Sequence, residues 1–176
     1  MRLFSLVPLL ILLTLGSSRG EGNSLLTNGD FEGANGNVGG WPVGKGVTIE
    51  EEGGNHFLRL QSTEPGVQVQ AYRKIPLTAG IQKLKVSFKV KYEDIKAGAQ
   101  NWHTGRIVMH FLDAAGKPLK PDPAAFAFKG DSNGWTEKSV ELTVPEGAAA
   151  LEFLPALFQV AQGTLELDDV VIAPAD

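Results

Sequence analysis

Cysteine is absent from this sequence of 176 residues. A disulfide framework and a cysteine nucleophile are therefore excluded, whatever compartment the protein occupies. The chain must derive its stability from an ordinary hydrophobic core, which a length of this order can supply within one domain.

An excess of positive charge is also lacking. The sequence holds 16 lysine and arginine residues against 20 aspartate and glutamate residues, and its formal net charge is −4. No cluster of basic residues interrupts this balance. Nucleic acid and anionic lipid are therefore not expected as partners, because both select for basic surfaces.

Long apolar runs are absent except at the amino terminus. There, Arg2 precedes an apolar run from Leu3 to Leu15, and small residues flank Arg19 at Ser18 and Gly20. This pattern predicts a signal peptide over residues 1–20 with cleavage near Gly20, because the run is too short to cross a bilayer core of ~30 Å as a helix. We expect a secreted, periplasmic or extracellular protein with no membrane association after cleavage.

Removal of that segment would take Arg2 and Arg19 from the 16 basic residues and leave 14 against 20 acidic ones, a net charge of about −6. The remaining residues, 21–176, fit one domain. We expect this domain to be a monomer.

Helical periodicity is lacking too, and short alternating runs take its place. Between residues 83 and 92, apolar side chains alternate with four lysines and a serine, which predicts a strand that buries one face. Further strands are predicted at Val47–Glu51, His56–Gln61, Val67–Ile75, Arg106–Asp113, Trp135–Val144, Ala149–Phe158 and Thr164–Ile172. The pattern indicates an all-β fold, a two-sheet antiparallel β-sandwich. The long connections at 93–104 and 117–125 are predicted to be functional loops.

Short motifs stand at both ends of the predicted domain. Residues 25–32 read LLTNGDFE and are followed by Gly40-Trp41; near the other end come Gly134-Trp135, Val144-Pro145 and the run LELDDV at 165–170. In this order the motifs resemble those of the carbohydrate-binding modules grouped in families 4, 9 and 22. The resemblance implies a jelly-roll sandwich of the galactose-binding-like type, with Trp41 and Trp135 packed in the core.

The same resemblance implies a structural calcium ion. Glu32 and Asp168 would be its carboxylate ligands, with backbone carbonyls near Asp30 and in the turn at 51–55. Hard oxygen ligands of this kind suit Ca²⁺. The alternative is that these acids are ordinary turn and strand-end carboxylates.

The predicted strand at 67–75 carries one candidate sugar-binding face. Sugars present apolar C–H faces and a rim of hydroxyls, so a site needs aromatic platforms beside groups that donate and accept hydrogen bonds. Gln68, Gln70 and Tyr72 share one side of this strand, opposite Val69 and Ala71. The alternative is a solvated face without a ligand.

Trp102 is the best candidate for a stacking platform, because it lies in a long loop among Gln100, Asn101 and His103. It could instead fold back over the edge of the sandwich. On the next predicted strand, Arg106 and His110 share one face and could border the same cleft. Gln159 is a weaker candidate.

No catalytic motif is present. The three histidines match no metalloprotease spacing, and neither a GxSxG elbow nor a P-loop occurs. A glycosidase pair depends on two carboxyls at a fixed spatial separation, which sequence spacing does not reveal. We therefore expect a non-catalytic domain that binds a polysaccharide or oligosaccharide. The alternatives are a cell-surface or periplasmic adhesion domain that binds protein, and a jelly-roll glycoside hydrolase or lyase.

Overall fold

The computed structural model describes residues 23–33 and 39–176. The predicted signal peptide at residues 1–20 lies outside the described residues. Within those two ranges, no helix is long and apolar enough to cross a membrane.

The described residues form ten strands in two antiparallel sheets. The strands are β1 (Val47–Glu52), β2 (Asn55–Gln61), β3 (Val69–Gln70), β4 (Arg73–Pro76), β5 (Lys83–Lys96), β6 (Gly105–Leu112), β7 (Phe126–Phe128), β8 (Thr136–Thr143), β9 (Ala150–Leu157) and β10 (Gln162–Pro174). Sheet A has the order β1-β2-β10-β5-β8, and sheet B has the order β3-β9-β6-β7, with β4 also paired to β9. The predicted all-β, two-sheet antiparallel sandwich is confirmed.

Strand β5 lies near the middle of sheet A, between β10 and β8. Leu84, Val86 and Phe88 point into the core, whereas Lys85 and Lys89 face water, as the alternation predicts. The strand continues to Lys96, so the first part of the predicted loop at 93–104 is in fact strand.

The predicted strand at 67–75 is two strands in the structure. Gln70 pairs with Ala156 and Arg73 pairs with Phe153, and the ladder is interrupted between them. Pro155 of β9 lies opposite this interruption. It has no N–H to donate, although its carbonyl still accepts a bond from the amide of Ala71 at 3.0 Å. The short strand β7 was not predicted.

Aromatic side chains link the two sheets through the core. Trp41 is buried, packs against Phe31 and Phe153 with ring centroids 5.2 and 6.3 Å away, and donates its indole N–H to the carbonyl of Asn28 at 3.1 Å. The core position predicted for Trp41 is therefore confirmed.

The core position predicted for Trp135 is wrong. Its side chain is 37% exposed and lies on the outer face of sheet A, edge-on to Phe57. The reason is the strand alternation of β8. Trp135 has the same parity as the exposed Glu137 and Glu141, so it points away from the core.

Candidate functional site

The outer face of sheet B collects most of the predicted sugar-binding side chains. We call it the sheet B face. It comprises Gln68, Gln70, Tyr72 and Lys74 from β3, β4 and the residues beside them, Glu152 and Leu154 from β9, and Arg106, Val108 and His110 from β6. Each of these side chains alternates with residues that point into the core.

Register arranges these side chains in rows across the strands. The first row runs from Gln70 over Ala156 to Arg106, because Ala156 pairs with both. Ala156 has a small side chain, and the long polar side chains of its neighbours flank it. The amide of Gln68 donates to the carbonyl oxygen of Gln70, which leaves a carbonyl on one and an amide on the other for a ligand.

A second polar row runs from Lys74 over Glu152 to His110, which are register partners. The Tyr72 hydroxyl donates to Glu152 at 3.0 Å, and its ring is 40% exposed. Burial and the bond to Glu152 raise the pKa of Tyr72, so its hydroxyl stays protonated and remains a donor at neutral pH.

The far end of this row is fixed by an acid from the loop between β6 and β7. His110 Nδ1 lies 3.0 Å from Asp122, which also bonds to Lys120. These bonds from Lys120 and His110 hold the pKa of Asp122 below its usual range. The imidazole of His110 is thereby oriented by a carboxylate that is ionised at neutral pH.

An apolar row separates the two polar rows. Val108 pairs with Leu154, and both side chains are half-buried on the sheet B face. A sugar ring has this same division, with an apolar C–H face and hydroxyls around it. The sheet B face can therefore contact such a ring through its apolar row and bond its hydroxyls from both sides.

Trp102 borders the sheet B face at the end of the first row. Its ring stacks on Phe158 with centroids 5.7 Å apart and an interplanar angle of 30°, and it contacts His103 edge-on at 4.3 Å. Even so, 49% of its surface is exposed. The guanidinium of Arg106 lies 6.0 Å from the Trp102 ring and 5.8 Å from the Phe158 ring. Trp102 therefore folds against the sandwich edge and keeps part of its ring exposed, and its role as a stacking platform stays a prediction.

The structure thus brings Gln68, Gln70, Tyr72, Arg106 and His110 onto one face, with Trp102 at its border. Sequence reasoning missed Glu152, Leu154 and the supporting role of Phe158. The signal was present, since Glu152 and Leu154 alternate with the buried Leu151 and Phe153 in β9. Gln159, a weaker candidate, is half-buried, and its backbone has a left-handed φ of 48°.

The predicted calcium ligands lie against the start of β2. Glu32 accepts the backbone N–H of His56 at 2.6 Å and contacts its Nδ1 at 2.8 Å. Asp168 accepts bonds from the Asn55 amide at 3.1 Å and from the backbone N–H of Asp169 at 2.7 Å. The two carboxylates therefore meet consecutive residues, Asn55 of the predicted turn and His56 next to it.

The Asp168 carboxylate is 4% exposed, and among the described residues no cationic side chain lies within ion-pair distance of it. Burial raises its pKa, although the bonds from Asn55 and Asp169 lower it. A buried carboxylate without a cation is costly when ionised, so this site fits a hard cation such as Ca²⁺. Within the described ranges, no group of three or more His, Cys, Asp or Glu residues forms a metal cluster, and a site here would need backbone carbonyls as well.

No family model matches this sequence, and no curated protein matches it either. Solved structures do match. A family 16 carbohydrate-binding module is 19% identical with a TM-score of 0.58, and the match covers 86% of this chain and 99% of that one. A family 61 module, solved with β-1,4-galactotriose, is 16% identical with a TM-score of 0.55 and the same coverage.

A third match is the enzymatically active domain of tailspike protein 4 from bacteriophage CBA120, which is 17% identical with a TM-score of 0.61. The match covers 86% of this chain but only 21% of the tailspike chain. At these identities the likeness shows the fold. This chain has the jelly-roll β-sandwich, galactose-binding-like fold of carbohydrate-binding modules, and two such modules match over nearly their whole length.

Proposed function

We propose that this chain is an exported, non-catalytic domain that binds a polysaccharide or oligosaccharide on the sheet B face. The observation that carries the proposal is the arrangement of that face, where an apolar row lies between two polar rows and an exposed tryptophan stands at the end. The fold supports it, since the modules that match over almost their full length are carbohydrate-binding modules. A signal peptide at residues 1–20 stays a prediction.

The polar rows supply hydrogen bonds of both kinds. Arg106 donates hydrogen bonds and Glu152 accepts them. The Gln68 side chain offers its carbonyl oxygen as an acceptor, and the Gln70 side chain offers its N–H groups as donors. Most of these groups lie on β3, β6 and β9. The pairing of these strands within sheet B fixes the positions of the side chains. A rigid site of this kind loses little conformational entropy when a ligand binds.

Trp102 is expected to contribute most of the apolar contact. Burial of an aromatic ring against a sugar ring is worth ~1.5–3 kcal/mol by area, and each ~1.4 kcal/mol is a tenfold change in affinity. Because Phe158 and Arg106 already hold the indole in place, little ordering is needed on binding.

The proposal is tested by affinity gel electrophoresis of residues 21–176 in gels that contain galactan, xylan, β-glucan or mannan. Trp102→Ala and Tyr72→Ala should weaken retention by roughly ten- to a hundredfold in dissociation constant without changing the melting temperature by more than a few degrees. Glu146→Ala serves as the control, since Glu146 is exposed in the turn between β8 and β9.

Two results would contradict the proposal. If no gel retains the wild-type domain, a domain that binds protein becomes the better description. If reducing ends or unsaturated products accumulate when the pure domain is incubated with a retained polysaccharide, the domain is a hydrolase or a lyase.

We also propose that Glu32 and Asp168 hold a structural calcium ion together with backbone carbonyls near Asp30 and residues 51–55. The support is the buried Asp168 carboxylate, which has no ion-pair partner among the described residues, and its position beside the residue that Glu32 binds. The ion would stabilise the junction between the amino-terminal segment, β2 and β10.

A further inference from the structure

A second exposed tryptophan lies on the opposite sheet from the proposed site. Trp135 is 37% exposed and stands edge-on to Phe57, with ring centroids 5.4 Å apart and an interplanar angle of 76°. Phe57 itself is only 2% exposed on the outer face of sheet A. Trp135 therefore covers an aromatic side chain and still presents part of its own ring to solvent.

Polar side chains of several kinds surround this tryptophan. A groove of about 330 Å³ is lined by Glu52, Asn55, Phe57, Lys89, Trp135 and Asp168. Its volume lies at the lower end of the ~300–1,000 Å³ that is typical of small-ligand sites. Carboxylates, an amide and an ammonium group thus border an aromatic platform, which is the combination that bonds sugar hydroxyls.

A neighbouring groove extends this surface along β5 and β10. It has a volume of about 370 Å³, and it shares Lys89 with the first groove. Ser87 and Lys85 line one side, and the small apolar side chains of Val171 and Ala173 line the other. Together the two grooves offer a track from Trp135 across the outer face of sheet A.

The charges of this track select for a neutral ligand. Lys89 lies 2.6 Å from Asp169, and this bond raises the pKa of Lys89 and balances its charge. Of the other charged side chains that line the grooves, Glu52 and Glu137 outnumber Lys85, and the charge of Asp168 belongs to the calcium site proposed above. An anionic sugar such as a uronate or a sulfated residue would be repelled, whereas a neutral sugar meets acceptors for its hydroxyls.

We propose that the outer face of sheet A holds a second saccharide site. Trp135 is its platform, Glu52, Asn55 and Lys89 bond the hydroxyls, and the ligand is a neutral saccharide. The ligand class rests on the function proposed above, but the location does not, because none of these residues belongs to the sheet B face.

The chain contains only three tryptophans, and their indole N–H signals test both sites at once. Trp41 is buried and reports on the core, Trp102 reports on the sheet B face, and Trp135 reports on the second site. We would titrate ¹⁵N-labelled residues 21–176 at fixed calcium with β-1,4-galactotriose and with hexasaccharides of xylose, glucose and mannose. The signals are assigned with Trp102→Phe and Trp135→Phe.

With at least one sugar of the panel, the Trp102 and Trp135 signals should shift by at least 0.05 ppm while the Trp41 signal stays in place. In the Trp102→Ala protein the Trp135 signal should still shift. Glu52→Ala should weaken the Trp135 response at least threefold in dissociation constant and leave the Trp102 response unchanged. Glu52 is exposed and ends β1, so this variant keeps the fold.

The possible failures are separate for the two sites. A Trp102 shift without a Trp135 shift overturns the second site and leaves the proposed function standing. A Trp135 shift that is lost in Trp102→Ala also overturns it, since the response would then be transmitted from the sheet B face. A Trp135 shift alone supports the second site and shows that the sheet B face was the wrong location. No shift with any sugar overturns both.

Discussion

Three tryptophans with the same chemistry have three different positions in this molecule, and hydrogen bonding and strand parity explain them. Trp41 is buried because the Asn28 carbonyl satisfies its indole N–H inside the core. Trp135 lies two residues before Glu137, which is exposed in β8. Its side chain therefore points to the same side and lies outside the core. Trp102 lies in a loop and is held half-exposed by Phe158. Residue type alone therefore does not separate a core tryptophan from a binding one.

Asp168 allows the calcium proposal to be tested at a single residue. If calcium is held at a thousand times its dissociation constant, it adds ~4 kcal/mol to the free energy of unfolding, which is roughly 10 °C in melting temperature. Asp168→Asn should abolish that gain. In chelator, the variant should melt at the same temperature as the parent or higher, because it removes a buried charge that forms no ion pair within the described part of the chain. Differential scanning calorimetry with and without calcium measures both effects.

Asp169→Asn provides the matched control. Asp169 pairs with Lys89 rather than with the proposed ion, and its φ of 47° is one that asparagine tolerates. This variant should keep its response to calcium. If the parent protein melts at the same temperature with and without chelator, the calcium proposal is wrong.

Strands in which apolar and polar residues alternate strictly were predictable from sequence. Strands interrupted by a feature of the partner strand were not. The alternation at Leu84, Val86 and Phe88 fixes both the existence of β5 and its buried face. The break between β3 and β4 depends on Pro155, which is more than 80 residues away in sequence and lies opposite only once β9 has paired. The side of the strand that carries Gln68, Gln70 and Tyr72 was still predictable, because parity survives the break.

The candidate site was likewise predictable only in part. Each predicted side chain lies on the face that its own strand parity indicates, but the rows depend on pairing across strands. That Glu152 lies between Lys74 and His110, and that Val108 meets Leu154, follows from register with β9. Sequence periodicity carries no information about register between distant strands.

The loop between β5 and β6 holds Trp102 in place, and Gly98 is the position most sensitive to change. A Cβ at Gly98 would lie 1.9 Å from the carbonyl oxygen of Gln159 and 3.2 Å from the Cβ of His103. Gly98→Ala must therefore displace backbone, at a cost of ~1–3 kcal/mol. It should lower the melting temperature and weaken glycan retention together, because His103 and Trp102 move with the loop.

Ala99→Ser is the control for that loop, since Ala99 is exposed beside Gly98. It should leave both the melting temperature and the retention unchanged. Normal retention of Gly98→Ala on the polysaccharide gel, despite a lowered melting temperature, would show that the loop's position does not matter for binding and would count against Trp102 as a platform.

The two proposed sites lie on opposite sides of the sandwich. Sheets pack ~10 Å apart, and each buries its inner face in the shared core, so their outer faces point in opposite directions. Tyr72 and Arg106 are on one side, and Trp135 and Lys89 are on the other. One short oligosaccharide bound flat on either face cannot contact both, so a single domain should bind two separate chains.

Such a domain should cross-link a long polysaccharide, even as a monomer. When the domain is mixed with the polysaccharide that retains it best, scattered light at 350 nm should rise near equivalence and fall again with excess domain, because each chain then carries its own domains. Trp135→Ala and Trp102→Ala should each abolish the scattering. Each still binds through its remaining site, so Trp135→Ala is retained on the gel, and Trp102→Ala is retained with the roughly ten- to hundredfold weaker dissociation constant predicted above. Excess short oligosaccharide should dissolve the complexes, since it competes without linking chains.

Sedimentation of the free domain must show a monomer, because a dimer with one site per subunit would scatter in the same way. If Trp135→Ala scatters as strongly as the parent protein, the cross-links do not depend on Trp135, and this residue serves only to cover Phe57.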